Sequence, residues 1–445
     1  MGFAAQALFV FFLGAIANGQ DPLPAGLTGP QETTVTQQQA SESTREEELL
    51  EERRQRLSEL EPAKPSKVGQ ILATVENRGM EQFTTVQIEH FRFGVGQLSP
   101  GSRLTPAVQY SRPNIGSSPL RFQISGAVSV TGFQAYIAQF GMFEHSAPHD
   151  FLGDSFLGAP FHFDERIQEP RDVFLYADLM YRNFPRENYY GLSTDSLQED
   201  RSDYSLKESK FDLVGGYQFT RYLAIEVRGG YQANDIGRGN DDRLPDTVDV
   251  FNEETAPGIS EPAEFVHLDS ALFLSWKGDP NRPVAEIGLR YAHYQQLDGD
   301  RFDFSRYSAD ARGHIPLGSR QRILALRIYT TGDLGKEETT VPFYLMKWIG
   351  GSQTLRGFRT YRFRDTNIVF LSAEYRWEAT AGLELAAFYD AGKAYPHRQQ
   401  FSFRDLVSTY GLGLRVKNFR RVSFRIDAGW SDEGAMLYFA FGPSF

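Results

Sequence analysis

Four side chains that can bind a divalent metal stand near one another in the sequence: His145, His149, His162 and Asp164. Imidazole and carboxylate groups are zinc ligands, but the spacing of these four residues is irregular. Residues 237–254, GRGNDDRLPDTVDVFNEE, form an acidic stretch that could attract cations only weakly. We therefore expect solvated loops at both places, and no metal site.

The motifs of common hydrolases and nucleotide-dependent enzymes are absent from the sequence. It contains no GxSxG nucleophile elbow, no phosphate-binding Walker loop and no HExxH zinc motif. Phospholipase chemistry would need a serine next to a histidine on one wall of the molecule, and the sequence offers no convincing pair. There is no cysteine, which excludes a disulfide scaffold and a thiolate metal site. We expect a protein that is not an enzyme and that carries no cofactor.

Charge and hydropathy narrow the class of protein further. The chain has 445 residues and a net charge of -11, which argues against nucleic acid as its main partner. Mean hydropathy is -0.41, and past the first residues no apolar run approaches the length of a membrane-spanning helix. Any passage through a membrane must therefore use strands.

The first hundred residues differ in character from the rest. The apolar run from Phe3 to Ala17 ends in Ala15-Ile16-Ala17, so we predict a signal peptide at residues 1–19 and secretion. Residues 20–103 are predicted to form a periplasmic leader, disordered in part, with short helices. One helix is expected at Glu46–Leu60, either as a solvated surface helix or as a coiled coil or plug.

From residue 104 to residue 445, segments of alternating apolar and polar residues repeat between turn residues. In Leu223–Tyr231 and Val422–Trp430, charged residues occupy one face and apolar residues the other, because strand side chains alternate with period two. A lipid-facing exterior around a polar lumen fits this pattern better than a soluble sandwich does. We predict an all-β fold, an antiparallel transmembrane β-barrel of about sixteen strands. The candidate strands lie near 105–111, 121–130, 133–143, 172–182, 187–194, 206–219, 222–232, 265–276, 283–294, 303–314, 321–331, 367–378, 383–391, 407–417, 421–430 and 435–445.

The predicted connections are short at one end of the barrel and long at the other, as in bacterial barrels. The long ones, Glu144–Arg171, Ala233–Glu264 and Gly332–Thr366, are all assigned to the outer end. The first predicted strand carries Pro106 and Pro113, which donate no ladder hydrogen bond. We expect it to form an under-bonded seam with the last strand.

The final stretch also alternates. Leu437, Phe439, Phe441 and Phe445 share one face of the last predicted strand. A terminal aromatic residue on such a strand is similar to the C-terminal assembly signal of outer-membrane barrels.

A basic motif lies in the long segment before the twelfth predicted strand. Leu355, Arg356, Gly357 and Phe358 follow a Gly-Gly-Ser sequence and precede three further arginines. Their order and their place about 90 residues before the last residue resemble the loop of the BamA/TamA-type assembly barrels, also called the bacterial surface antigen barrel domain. The resemblance covers roughly residues 100–445. It implies that the loop folds back into its own barrel.

The same resemblance suggests the partners of the arginine. Alternation places Glu374 and Asp390 on the inner faces of adjacent strands. The resemblance pairs Arg356 with these two carboxylates, which a guanidinium can bind through two parallel hydrogen bonds. Gly357 would let the backbone approach the wall. A purely structural ion pair in the lumen is the alternative.

The resemblance implies a protein of the bacterial outer membrane that inserts, assembles or translocates proteins, or moves lipids. Its partners would be outer-membrane lipids and client outer-membrane proteins. Residues 20–103 show no pattern of a periplasmic POTRA domain, which departs from the family and leaves a periplasmic partner or a homo-oligomer open. A passive or gated pore and an adhesive surface protein are the competing functions.

Overall fold

The computed structural model describes residues 85–143, 173–220, 222–276, 284–318, 321–335, 339–380, 382–397, 401–403, 405–418 and 421–440. The predicted signal peptide, the helix at Glu46–Leu60, the four candidate metal ligands at 145–164 and two residues of the C-terminal signal, Phe441 and Phe445, lie outside these ranges. Among the described residues, no helix is long and apolar enough to cross a membrane.

Nineteen strands account for most of the described chain. They are β1 (Thr85–Ile88), β2 (Phe91–Gly96), β3 (Thr105–Arg112), β4 (Arg121–Val128), β5 (Gln134–Met142), β6 (Val173–Tyr189), β7 (Ser202–Thr220), β8 (Leu223–Arg238), β9 (Glu264–Trp276), β10 (Val284–Gln296), β11 (Phe304–Pro316), β12 (Arg322–Leu334), β13 (Lys347–Ile349), β14 (Phe363–Asp365), β15 (Asn367–Thr380), β16 (Leu383–Tyr395), β17 (Val407–Asn418), β18 (Arg421–Ser431) and β19 (Gly434–Ala440). A single helical turn, α1 (Thr247–Val250), and a 3-10 turn at Phe343–Leu345 stand in connections.

Seventeen of the strands form one sheet, and β13 and β14 form a separate two-stranded ribbon. Each strand of the large sheet pairs antiparallel with the strand before it, and β15 follows β12 directly. Such a meander needs only local connections, which antiparallel strands allow. The fold class predicted from alternation, an antiparallel sheet of about sixteen strands, is confirmed.

The two faces of the sheet differ as the alternation requires. On β8, Val227 is half exposed while its neighbours Glu226 and Arg228 are buried. On β18, Arg425 and Asp427 are fully buried, and Trp430 is exposed. Apolar side chains thus cover the face of the sheet on which side chains are exposed. Charged side chains cover the opposite, enclosed face, which is the arrangement of a barrel in lipid with a polar interior.

One predicted strand is wrong. Residues 187–194 were assigned a strand of their own, but β6 continues from Val173 to Tyr189, and its register with β7 shifts between Phe184 and Glu187. The bulge holds Pro185, which resembles a strand break in the sequence but interrupts only the alternation.

This correction reverses the assignment of one long connection. Because β6 is a single strand, Val173 pairs with Tyr217, close to the short turn between β7 and β8. The strand ends that flank Glu144–Arg171 therefore lie at the end with the short turns, and the prediction of an outer loop there is wrong. The connection itself lies outside the described residues. The strand ends at 238–264 and 334–367 lie together at the opposite end, as predicted.

The sheet also begins before residue 104, the predicted boundary of the barrel. β1 and β2 precede it, so residues 85–96 belong to the sheet and not to a helical or disordered leader. The strand with Pro106 is β3, and it pairs with β2 on one side and β4 on the other. The predicted seam at Pro106 is therefore wrong, since both of its edges are occupied.

The edge of the sheet is made instead by β1, β2 and β19. Without β1, sixteen strands remain, and β2 and β19 at the two ends of that series run antiparallel. Closing an antiparallel barrel requires an even number of strands. Among the described residues no strand pairing joins β19 to β2, so the part of the seam that the structure describes is open.

Candidate functional site

The ribbon of β13 and β14 presents the loop anchor, Leu355–Phe358, at its tip. Trp348 pairs with Arg364 in the ribbon, and residues 350–362 form the turn beyond it. Gly350 and Gly351 have φ angles of 120° and 96°, a backbone conformation that favours glycine. The Gly351 amide donates to the carbonyl oxygens of Leu355 and Phe358, at 3.2 and 3.0 Å. The tip is therefore a closed turn and not a structureless loop.

The two apolar residues of the anchor hold the tip in place. Leu355 and Phe358 are buried in one hydrophobic cluster, whose other members come from the ribbon and from the wall strands β12, β15 and β16: Tyr329, Ile349, Phe363, Ile368, Phe370 and Ala394. Phe358 packs edge to face on Phe363 at 5.0 Å between ring centroids. Burial of a leucine and a phenylalanine contributes about 1.5–3 kcal/mol each.

The structure brings Arg356 together with both predicted carboxylates. Its Nε and Nη2 atoms donate to the two oxygens of Asp390, each at 2.8 Å, and its Nη1 atom donates to Glu374. The guanidinium also lies 3.5 Å from the ring centroid of Phe388. The Ser372 hydroxyl donates to Asp390 at 2.6 Å. The side chain is thus held by a bidentate ion pair, a second carboxylate and an aromatic face.

Glu374 belongs to a larger charge network on the enclosed face. It accepts hydrogen bonds from Arg376 at 2.6 Å and from Arg415 at 2.8 Å, in addition to Arg356. Arg415 reaches Asp427 at 3.0 Å. Burial alone would lower the pKa of Arg356, but Asp390 and Glu374 outweigh it and raise that pKa above its usual range. Arg356 therefore stays charged, and each carboxylate keeps a cationic partner.

Gly357 lies where the loop meets the sheet most closely. A Cβ atom there would stand 2.3 Å from Oγ1 of Thr409 on β17. Across the contact, a Cβ atom on Gly429 of β18 would stand 2.3 Å from the carbonyl oxygen of Arg356. The approach that the sequence predicted for Gly357 thus requires a second glycine on the wall.

The loop also contacts the last hairpin of the sheet. Ser431 on β18 donates to the carbonyl oxygen of Gly357 at 2.9 Å, and Tyr438 on β19 donates to that of Phe358 at 2.5 Å. Arg362 donates to Glu433, in the turn between these strands, at 2.6 Å. The anchor therefore bridges β15 and β16 to β18 and β19, the strands that lead to the seam.

Several of these residues were not found from the sequence. Ser372, Gly429, Ser431 and Tyr438 touch the anchor but belong to no motif, and their role depends on cross-strand register. Alternation placed Glu374 and Asp390 on one face of the sheet, and the family resemblance paired them with Arg356. Of the predicted C-terminal signal, Leu437 and Phe439 are exposed on the apolar face of β19, away from the anchor. Among the described residues, no group of His, Asp and Glu could hold a metal.

The family can be assigned at this point. Residues 161–445 match the model of the Omp85 superfamily domain. The chain belongs to the Omp85 superfamily. The match includes the loop anchor, its carboxylate partners and the strands from β6 onward, whereas β1–β5 precede it.

Two solved structures are similar to this chain. BamA from Haemophilus ducreyi lacking POTRA domains 1–3 is 12% identical, with a TM-score of 0.53, and the alignment covers 84% of this chain and 77% of that one. CdiB from Escherichia coli is 12% identical, with a TM-score of 0.49 over 80% of this chain and 62% of CdiB. A comparison with curated protein sequences finds no match. At 12% identity the likeness to BamA concerns the fold alone.

Proposed function

We propose that this protein inserts or translocates proteins at the bacterial outer membrane, without enzymatic chemistry. Membership of the Omp85 superfamily and the fold shared with BamA support this proposal. Its partners would be outer-membrane lipids and unfolded client proteins. Movement of lipids is the variant of the same proposal, since an open seam would expose the polar interior to the bilayer.

The observation that carries the proposal is the anchor at Arg356 next to an unzipped seam. The anchor fixes β15–β19 as one unit, because Arg356 bonds carboxylates on β15 and β16 while Tyr438 and Ser431 bond the loop from β19 and β18. The unpaired edge of a strand is a template for another strand. A braced β19 holds this part of the sheet in place while an incoming strand forms on a sheet edge at the seam.

Reconstitution tests this function directly. The full chain is placed in liposomes, and a urea-unfolded small outer-membrane barrel is added as the probe. We expect faster folding of the probe, read from its heat-modifiable mobility on gels, with wild type and with Arg359→Ala, whose side chain is exposed. Arg356→Ala should lose most of the acceleration.

The competing pore function predicts a different result in the same liposomes. A pore would leave probe folding at the rate of empty liposomes and would show a stable single-channel conductance. That outcome would overturn the insertase proposal. A third readout, the movement of fluorescent lipids between leaflets, separates lipid transfer from protein insertion.

A further inference from the structure

β1 occupies an edge of the sheet that a closing strand would need. β2 pairs with β3 along Phe91–Gly96 on one side. On its other side it pairs with β1 over four positions, from Thr85 opposite Gly94 to Ile88 opposite Phe91. A strand has only two edges, so β1 excludes every other strand from this part of β2.

The relative direction of the strands identifies the strand that β1 excludes. β2 and β19 run antiparallel and end the sixteen-strand series, so β19, or a strand that takes its place, is the natural partner of this edge. β1 also runs antiparallel to β2. Only Val95 and Gly96 at the far end of β2 are left beyond the register with β1.

The hairpin that carries β1 is built to be weak. Its turn consists of Glu89 and His90, and Glu89 has a φ angle of 53°. Two-residue hairpins favour asparagine or glycine at such positions, because a residue with a longer side chain is strained there. Ile88, Phe91 and Phe93 are all exposed on the apolar face, so little packing inside the protein offsets this strain.

The two sides of the seam are therefore held unequally. β19 is fastened to the loop anchor through Tyr438, and β18 through Ser431. β1 is held by four register positions and a strained turn. When the seam changes partner, β1 is the strand that leaves.

We propose that β1 is a resident strand that masks the receiving edge of β2, and that an extended client segment with alternating apolar residues displaces it. This inference rests on the proposed function for the identity of the client, but the masking itself does not. In the absence of such a segment, β1 keeps the edge from pairing with other chains, a hazard of any open sheet edge.

The test measures access to the β2 edge on the full chain in detergent micelles. The probe is a synthetic peptide with the sequence of residues 434–445 and a photoreactive benzophenone, and mass spectrometry locates its crosslinks. Val86→Pro removes a backbone donor that the antiparallel register directs at β2, and it should raise crosslinking to residues 91–96 by roughly tenfold. Glu89→Asn suits the turn better and should lower it.

A disulfide between β1 and β2 tests the opposite change, because it holds β1 in place on β2. The chain contains no cysteine that would interfere. Oxidised Val86→Cys/Phe93→Cys, a register pair of β1 and β2, should abolish crosslinking, and reduction should restore it. Leu289→Cys/Ala309→Cys, a register pair of β10 and β11, is the matched control and should have no effect. Heat-modifiable mobility confirms that every variant is folded.

Equal crosslinking with β1 locked and unlocked would overturn the masking, as would no increase with Val86→Pro in a folded protein. Either result leaves the insertase proposal standing, because that proposal is decided by folding of the barrel probe in liposomes. Conversely, masking can be established by the peptide even if the liposomes show no insertion.

Discussion

Removal of the Arg356 side chain should undock the loop. Arg356 is 2% exposed and makes three short contacts with two carboxylates. After Arg356→Ala, Glu374 keeps Arg376 and Arg415, but among the side chains bonded to it Asp390 keeps only the Ser372 hydroxyl. Breaking a buried ion pair in this way costs about 3–5 kcal/mol.

The cost should appear as faster hydrogen exchange at the tip of the loop. The Phe358 amide donates to Leu355 within the turn, so its protection reports docking. A loss of about 3 kcal/mol corresponds to a decrease in protection of roughly a hundredfold. Arg356→Lys keeps the positive charge but cannot form the two parallel hydrogen bonds of the guanidinium. It should therefore lower the free energy of loop docking by about 1.5–3 kcal/mol.

Two further variants decide whether loss of the ion pair causes the faster hydrogen exchange at the tip of the loop. The double variant Arg356→Ala/Asp390→Asn leaves no unpaired charge at position 390. Its loss of stability should therefore be smaller than the summed losses of the two single variants by about 1 kcal/mol or more. Arg359→Ala, at an exposed position of the same loop, should change stability by less than about 0.5 kcal/mol. Equal protection in Arg356→Ala and Arg359→Ala would refute the reasoning.

Three other substitutions test the contacts around the anchor. Gly357→Val should displace the loop and lower its protection at a cost of about 1–3 kcal/mol, whereas Gly96→Ala, where an added Cβ meets nothing within 4 Å, should be neutral in the same exchange experiment. Tyr438→Phe removes one hydrogen bond to the loop and should cost about 0.5–1.5 kcal/mol, measured by thermal unfolding on gels; an unchanged midpoint would contradict the contact. Asp310→Asn removes the charge that Arg312 and Arg327 bind at 2.9 Å each, and should lower the unfolding temperature more than Asp300→Asn in an exposed turn.

The alternation of apolar and polar residues predicted most of the strands, because one face of this sheet is apolar and the other is charged. Glu374 and Asp390 could be placed on one face without coordinates, since the parity of each position is fixed once a strand is found. The pairing of these two carboxylates with Arg356 came from the family resemblance of the loop. The fold and the core of the site were therefore accessible from sequence.

The limits of this alternation also explain which strands and connections were predicted wrongly. The bulge at Pro185 made one strand look like two, and that miscount moved Glu144–Arg171 to the wrong end. β1 and β2 were missed because four and six residues give too few alternations to stand out. The contacts of Tyr438 and Gly429 depend on register between distant strands, which a single sequence does not determine.

We propose that this member of the Omp85 superfamily inserts proteins and needs the Arg356 anchor to do so. The most direct measurement is a quantitative outer-membrane proteome of a deletion strain complemented with wild type, Arg356→Ala or Arg359→Ala at matched expression. We predict that particular outer-membrane barrels disappear on deletion and return with wild type and Arg359→Ala but not with Arg356→Ala. An unchanged proteome on deletion, or full restoration by Arg356→Ala, would contradict the account.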